Sequence, residues 1–148
     1  MKPSEAIRLG LARNPIPSRD VFCAIVGGVG CACVLGCILD RDGKGEAAQL
    51  RYDYDPDFHR VEDFDVLVDD LELKVFSVAC SDGLLDDIRE FAVSEMSEEA
   101  WKEQSRVNER SPLSIGHALI AANDSFQGDE SNFDPRPAIA DILEKHGY

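Results

Sequence analysis

Basic residues are in short supply. The chain has 15 lysines and arginines against 29 aspartates and glutamates, a formal net charge of −14. Gripping a phosphate backbone takes a basic footprint, and none is present, so direct nucleic-acid binding is not expected. Attraction to an anionic membrane is disfavoured on the same ground. Nucleotide-binding fingerprints are also missing. Gly27-Gly28-Val29-Gly30 lacks the lysine and serine or threonine of a P-loop, and no G-x-G-x-x-G follows a clear strand. An EF-hand is excluded as well. Asp40, Asp42 and Gly45 fall where its first, third and sixth residues would, but Lys44 and Arg51 occupy the fifth and twelfth. The twelfth position must supply a bidentate acid. There is no internal repeat and no linker long enough to divide the chain. Its 148 residues read as one domain, 1–148, long enough to bury a core.

The cysteines lack a regular framework. Five is an odd number, and three of them (Cys31, Cys33, Cys37) crowd into Gly30 to Cys37. Clustered cysteines without a disulfide pattern read as reduced thiols of a cytoplasmic protein. Zinc sites commonly use paired C-x2-C knuckles, and the spacing here does not supply them. Cys33 and Cys37 would share one helix face as a half-site, which Cys80 or His59 would have to complete. A cysteine nucleophile would need a histidine, and His117 with Asp124 or Asn123 is the available set. Cysteines in an apolar run are instead inert, with raised pKa values. The preferred reading is core, because cysteine is a small, readily buried residue. No cofactor and no metal ligand are assigned.

What is present begins with 19 uncharged residues, Val21 to Leu39. That length is borderline for a membrane span. Four glycines and four cysteines lower its hydrophobicity, and its flanks show no positive bias. Val34-Leu35-Gly36-Cys37 loosely resembles a bacterial lipoprotein cleavage box, so a lipoprotein anchored at Cys37 stands as a further alternative.

The periodicity predicts a mainly α fold, a bundle of about five to seven short helices. Ser4–Ala12 is a helix, with Ile7 and Leu11 on one face and Asn14-Pro15 stopping it. Val21 to Gly30 reads as strand or loop, and Cys31 to Leu39 as a buried helix that is apolar all round. Asp40–Glu46 is a turn, and Tyr52–Pro56 a short extended piece. Val61 to Cys80 favours a helix on its three- and four-residue spacings, although Leu71, Leu73 and Val75 alternate as in a strand. An α+β fold with a small hairpin in 52–80 is therefore the alternative. Ser81-Asp82-Gly83 is read as a break. Leu84 to Val93 is amphipathic. Ser97 caps a helix containing Trp101, Ser111-Pro112 opens another, and Asn123–Asn132 is a polar loop. Asp134-Pro135 opens the last helix, whose apolar stripe is Ile139, Ile142 and Leu143 and whose stop is Gly147.

Between Asp53 and Leu73 lie nine acids in 21 residues: Asp53, Asp55, Asp57, Glu62, Asp63, Asp65, Asp69, Asp70 and Glu72. Tyr52, Tyr54, Phe58 and Phe64 are interleaved with them. The plain reading is a solvated face. The functional one is a docking surface for a basic protein, with aromatics as anchors and charge to speed encounter.

Four segments, taken in order, carry a likeness. Ser4-Glu5-Ala6-Ile7-Arg8-Leu9-Gly10, then Cys33-Val34-Leu35-Gly36-Cys37, then Ile120-Ala121-Ala122-Asn123-Asp124 and Ile139-Ala140-Asp141 resemble a group of small uncharacterised bacterial and phage proteins. That group shows SEAIRLG, then CALGA, then a LND segment leading into IAD. This chain has Cys37 where the group has alanine and Ala122 where it has leucine, and its acidic middle has no counterpart. The resemblance implies a mostly helical cytoplasmic protein of a bacterium or its mobile elements, and assigns no catalytic residue. The expectation is a non-enzymatic, acidic protein acting through protein–protein interaction, such as a phage or mobile-element inhibitor of a host system. The alternative is a small cysteine- or metal-dependent enzyme built on Cys31, Cys33, Cys37 and His117.

Overall fold

A computed structural model of the chain describes residues 2–18, 23–39, 78–95, 97–105, 113–124 and 133–148. Helix α1 spans Pro3–Arg13 and buries Ala6, Ile7 and Gly10 on one face. It ends at Asn14, whose backbone N–H and side-chain amide both donate to the Gly10 carbonyl, at 3.0 and 3.2 Å. Three short strands follow: β1 (Ile16–Pro17), β2 (Cys23–Val26) and β3 (Val29–Ala32). They form one sheet in the order β1-β3-β2. β3 runs parallel to β1, with Ile16 opposite Cys31, and antiparallel to β2, with Val26 opposite Val29. Gly27 and Gly28 make the intervening turn at φ of 59° and 81°, a left-handed pair that favours glycine at both positions.

Five more helices complete the described residues: α2 (Val34–Leu39), α3 (Asp82–Glu95), α4 (Glu98–Gln104), α5 (Ile115–Asp124) and α6 (Arg136–Lys145). The mainly α reading holds. α1 lies against α2 and α6, while α5 packs on α2, α3, α4 and α6. All six helices feed one core, with Ile7, Leu35, Ile38, Leu84, Ile88, Trp101, Leu119, Ile139 and Leu143 among its members. Caps explain several helix boundaries. The Ser97 hydroxyl accepts the Ala100 N–H at 3.0 Å. Asp134 accepts the Arg136 N–H at 3.1 Å. Gly147, at φ 85°, follows the last turn of α6.

Several expectations need correction. Cys31 and Ala32 belong to strand β3, and α2 begins only at Val34. An apolar run lacks the polar–apolar contrast that would separate strand from helix, and pairing with β1 and β2 decided it. Ser81-Asp82-Gly83 starts a helix and does not break one: α3 begins at Asp82, and the Ser81 hydroxyl accepts the Leu84 N–H at 3.4 Å. Asn123 and Asp124 form the last turn of α5, as their readiness to end or cap a helix suggests, so the polar loop read from Asn123 does not start there. Of the segment Val61 to Cys80, the described residues 78–80 are not helical, and Ala79 bridges Ser114 antiparallel. The helix expected to open at Ser111-Pro112 begins only at Ile115: Leu113 and Ser114 are not helical, Ser114 bridges Ala79, and its hydroxyl caps the helix. The rest of Val61–Cys80, the turn at Asp40–Glu46, the piece Tyr52–Pro56 and the 52–77 part of the alternative hairpin lie outside the described residues.

Candidate functional site

Three of the five cysteines lie in the packed interior. Cys31, Cys33 and Cys37 are all buried, Cys37 completely. The Cys33 sulfur accepts the Gly36 N–H at 3.3 Å, and burial pushes its thiol pKa far up. Cys80 is half-buried, and burial pushes its thiol up to about 11. Both are protonated at neutral pH and are poor nucleophiles. Among the described residues, no three histidines, cysteines or acids come together as a metal ion would require. The side chain of Cys23 and all of His59 lie outside them.

Around Cys37 the helix packing is unusually tight. A Cβ placed on Gly10 would overlap the Cys37 carbonyl group, so only glycine lets α1 and α2 approach this closely. Beside this contact lies Arg136, whose side chain has no exposure at all. Its guanidinium donates to the carbonyls of Asn14 (2.6 Å), Ala32 (3.0 Å) and Pro15 (3.1 Å), and to the Cys37 sulfur (3.3 Å). Asp134 takes Nε and Nη2, both at 2.8 Å, and neutralises the charge. Burial works against the cation, and the bonds the guanidinium donates to Asp134, with the attraction of Cys37 and Asp134, outweigh it, so its pKa stands above the ordinary value. The arrangement ties the end of α1, the end of β3 and the start of α6 to one side chain.

Asn123 makes a second tie. Its Oδ1 accepts the Val34 N–H at 3.1 Å and so caps α2, while Nδ2 donates to the Ser18 carbonyl and to Asp124, both at 2.9 Å. The local pattern suggests a residue serving its own helix end; the structure has it serve another helix. Arg8 reaches Asp141 and Glu144 at 2.7 and 2.6 Å, joining α1 to α6. The segments Ser4–Gly10, Cys33–Cys37, Ile120–Asp124 and Ile139–Asp141 are thus linked to one another. Among the described residues these contacts are packing, capping and ion pairs.

His117 is engaged at the start of α5. Its Nδ1 lies 2.5 Å from the Ser114 hydroxyl, which also accepts the His117 backbone N–H at 3.2 Å. This is a helix cap with a side-chain partner.

Asp53, Asp55, Asp57, Glu62, Asp63, Asp65, Asp69, Asp70, Glu72, Tyr52 and Tyr54 lie outside the described residues. A second acidic surface, not singled out from the sequence, stands within them. α3 turns Leu84, Ile88 and Ala92 into the core. Asp82, Asp86 and Glu90 sit at four-residue spacing on its opposite, exposed face. Glu95 follows at the end of α3, and Glu99 and Glu103 are exposed on α4. The cations nearby are already used. Arg89 and Lys102 pair with Glu98 at 3.0 and 3.9 Å, and Lys145 and His146 both reach Asp87, at 2.9 and 2.7 Å. Asp82, Asp86, Glu90, Glu95, Glu99 and Glu103 make no ion pair among the described residues. The signal of this surface in the sequence is the four-residue spacing of acids opposite an apolar stripe.

Comparison of the chain with protein-family models, curated proteins and solved structures found no match. Among the described residues, no helix is long and apolar enough to cross a membrane.

Proposed function

We propose that this chain acts by binding, as a non-enzymatic acidic protein whose partner is a protein with a basic surface. The observation that carries the reading is the charge of −14. The acids of α3 and α4 that make no ion pair among the described residues, Asp82, Asp86, Glu90, Glu95, Glu99 and Glu103, support it. Like charges four residues apart on a helix destabilise it by about 0.2–0.5 kcal/mol per pair. A stripe such as Asp82, Asp86 and Glu90 is therefore mildly unfavourable for the isolated chain, and a basic partner relieves that repulsion. The same field speeds encounter more than it deepens affinity. The finer reading is an inhibitor encoded by a phage or mobile element and directed at a host system. It rests on the family likeness of segments in α1, α2, α5 and α6.

The test is affinity capture from a lysate of the native host, with nuclease added, at low and at high salt. The expected result is a stoichiometric protein partner held at low salt and released at high salt. Retention is expected to fall when Asp63, Asp65, Asp69 and Asp70 become asparagine, or when the α3 stripe becomes D82N/D86N/E90Q. A partner held equally at both salts and by both variants overturns the reading. Bound metal or rapidly reacting thiols in the native protein would favour an enzyme built on Cys31, Cys33, Cys37 and His117 instead.

A further inference from the structure

We draw no further inference here: the strongest candidate, the exposed acidic face that Asp82, Asp86 and Glu90 form along α3, belongs to the binding surface already proposed, and nothing else among the described residues points to a particular ligand there.

Discussion

Arg136 is the single side chain whose loss should be felt most widely. Its bonding partners are up to 122 residues away in sequence, which is why Asp134-Pro135-Arg136-Pro137 reads only as a helix start. Arginine is rarely fully buried unless paired, and the pairing here depends on carbonyls that the tertiary fold delivers. Arg136→Met keeps most of the stem and removes every donor, leaving Asp134 and three carbonyls short of partners. Removing one partner of a fully buried ion pair costs about 3–5 kcal/mol; Asp134 is 28% exposed, so a loss of about 2–3 kcal/mol is expected in urea denaturation. A loss below about 1 kcal/mol, the worth of one ordinary hydrogen bond, would show that the network contributes little. Gly10 makes the complementary case. A methyl group there overlaps the Cys37 backbone, and backbone gives way less readily than a side chain. Overpacking a tight core costs about 1–3 kcal/mol, and Gly10→Ala is expected at or above the upper end. Gly10→Ser should be no better. Equal stability of Gly10→Ala and the parent chain would mean that α1 and α2 do not approach this closely in solution.

At the scale of elements, legibility followed contrast between apolar and polar positions. α3 and α6 carry polar faces opposite their apolar stripes, so both could be placed from spacing alone. The Ser97 cap was equally plain, because capping is a local event. Cys31 and Ala32 offered no such contrast. Their strand state comes from partners at Ile16–Pro17 and Cys23–Val26, information that lies outside any short window. Asp82-Gly83 misled for a related reason: glycine usually signals a break, but it is tolerated in a first turn when Ser81 caps the helix. α2 illustrates dependence of one element on another. It is 6 residues long, too short to stand alone in water, and Asn123 from α5 holds its first N–H. Asn123→Ala should destabilise the fold by about 1–3 kcal/mol, the cost of leaving a buried donor unsatisfied. Hydrogen exchange at the Val34 amide should rise more than at amides of the α3 core. Uniform acceleration across all helices would indicate general loosening and would count against a specific cap.

The whole molecule must hold together against its own charge, and two pH- and salt-dependent outcomes follow. The first concerns the clasp of α6 onto α3. Hydrogen bonds from His146, and then from Lys145, hold the Asp87 carboxyl below its ordinary value. A carboxylate with a depressed folded pKa adds stability that is present above its unfolded pKa and lost as pH falls through the folded one. Acidification from neutral pH toward about 3 should therefore remove the Asp87 contribution, whatever the discharge of the other acids adds, and the difference in stability between the parent chain and Asp87→Asn should shrink over that range. An unchanged acid profile in the variant would remove Asp87 from the account. The second outcome is the sign of the salt effect. With 29 acids against 15 basic residues, self-repulsion opposes the compact state, and salt screens it over a Debye length of about 10 Å at 0.1 M. Raising sodium chloride from about 20 mM to about 300 mM should thus raise the melting temperature of the free chain. The proposed complex should respond in the opposite direction, because screening slows encounter and weakens attraction to a basic surface. Opposed signs separate loss of binding from loss of folding, since a chain released at high salt is then the more stable one. If salt weakened both, release would reflect unfolding; if salt strengthened both, the contact would be apolar and the acidic surface would have no part in it.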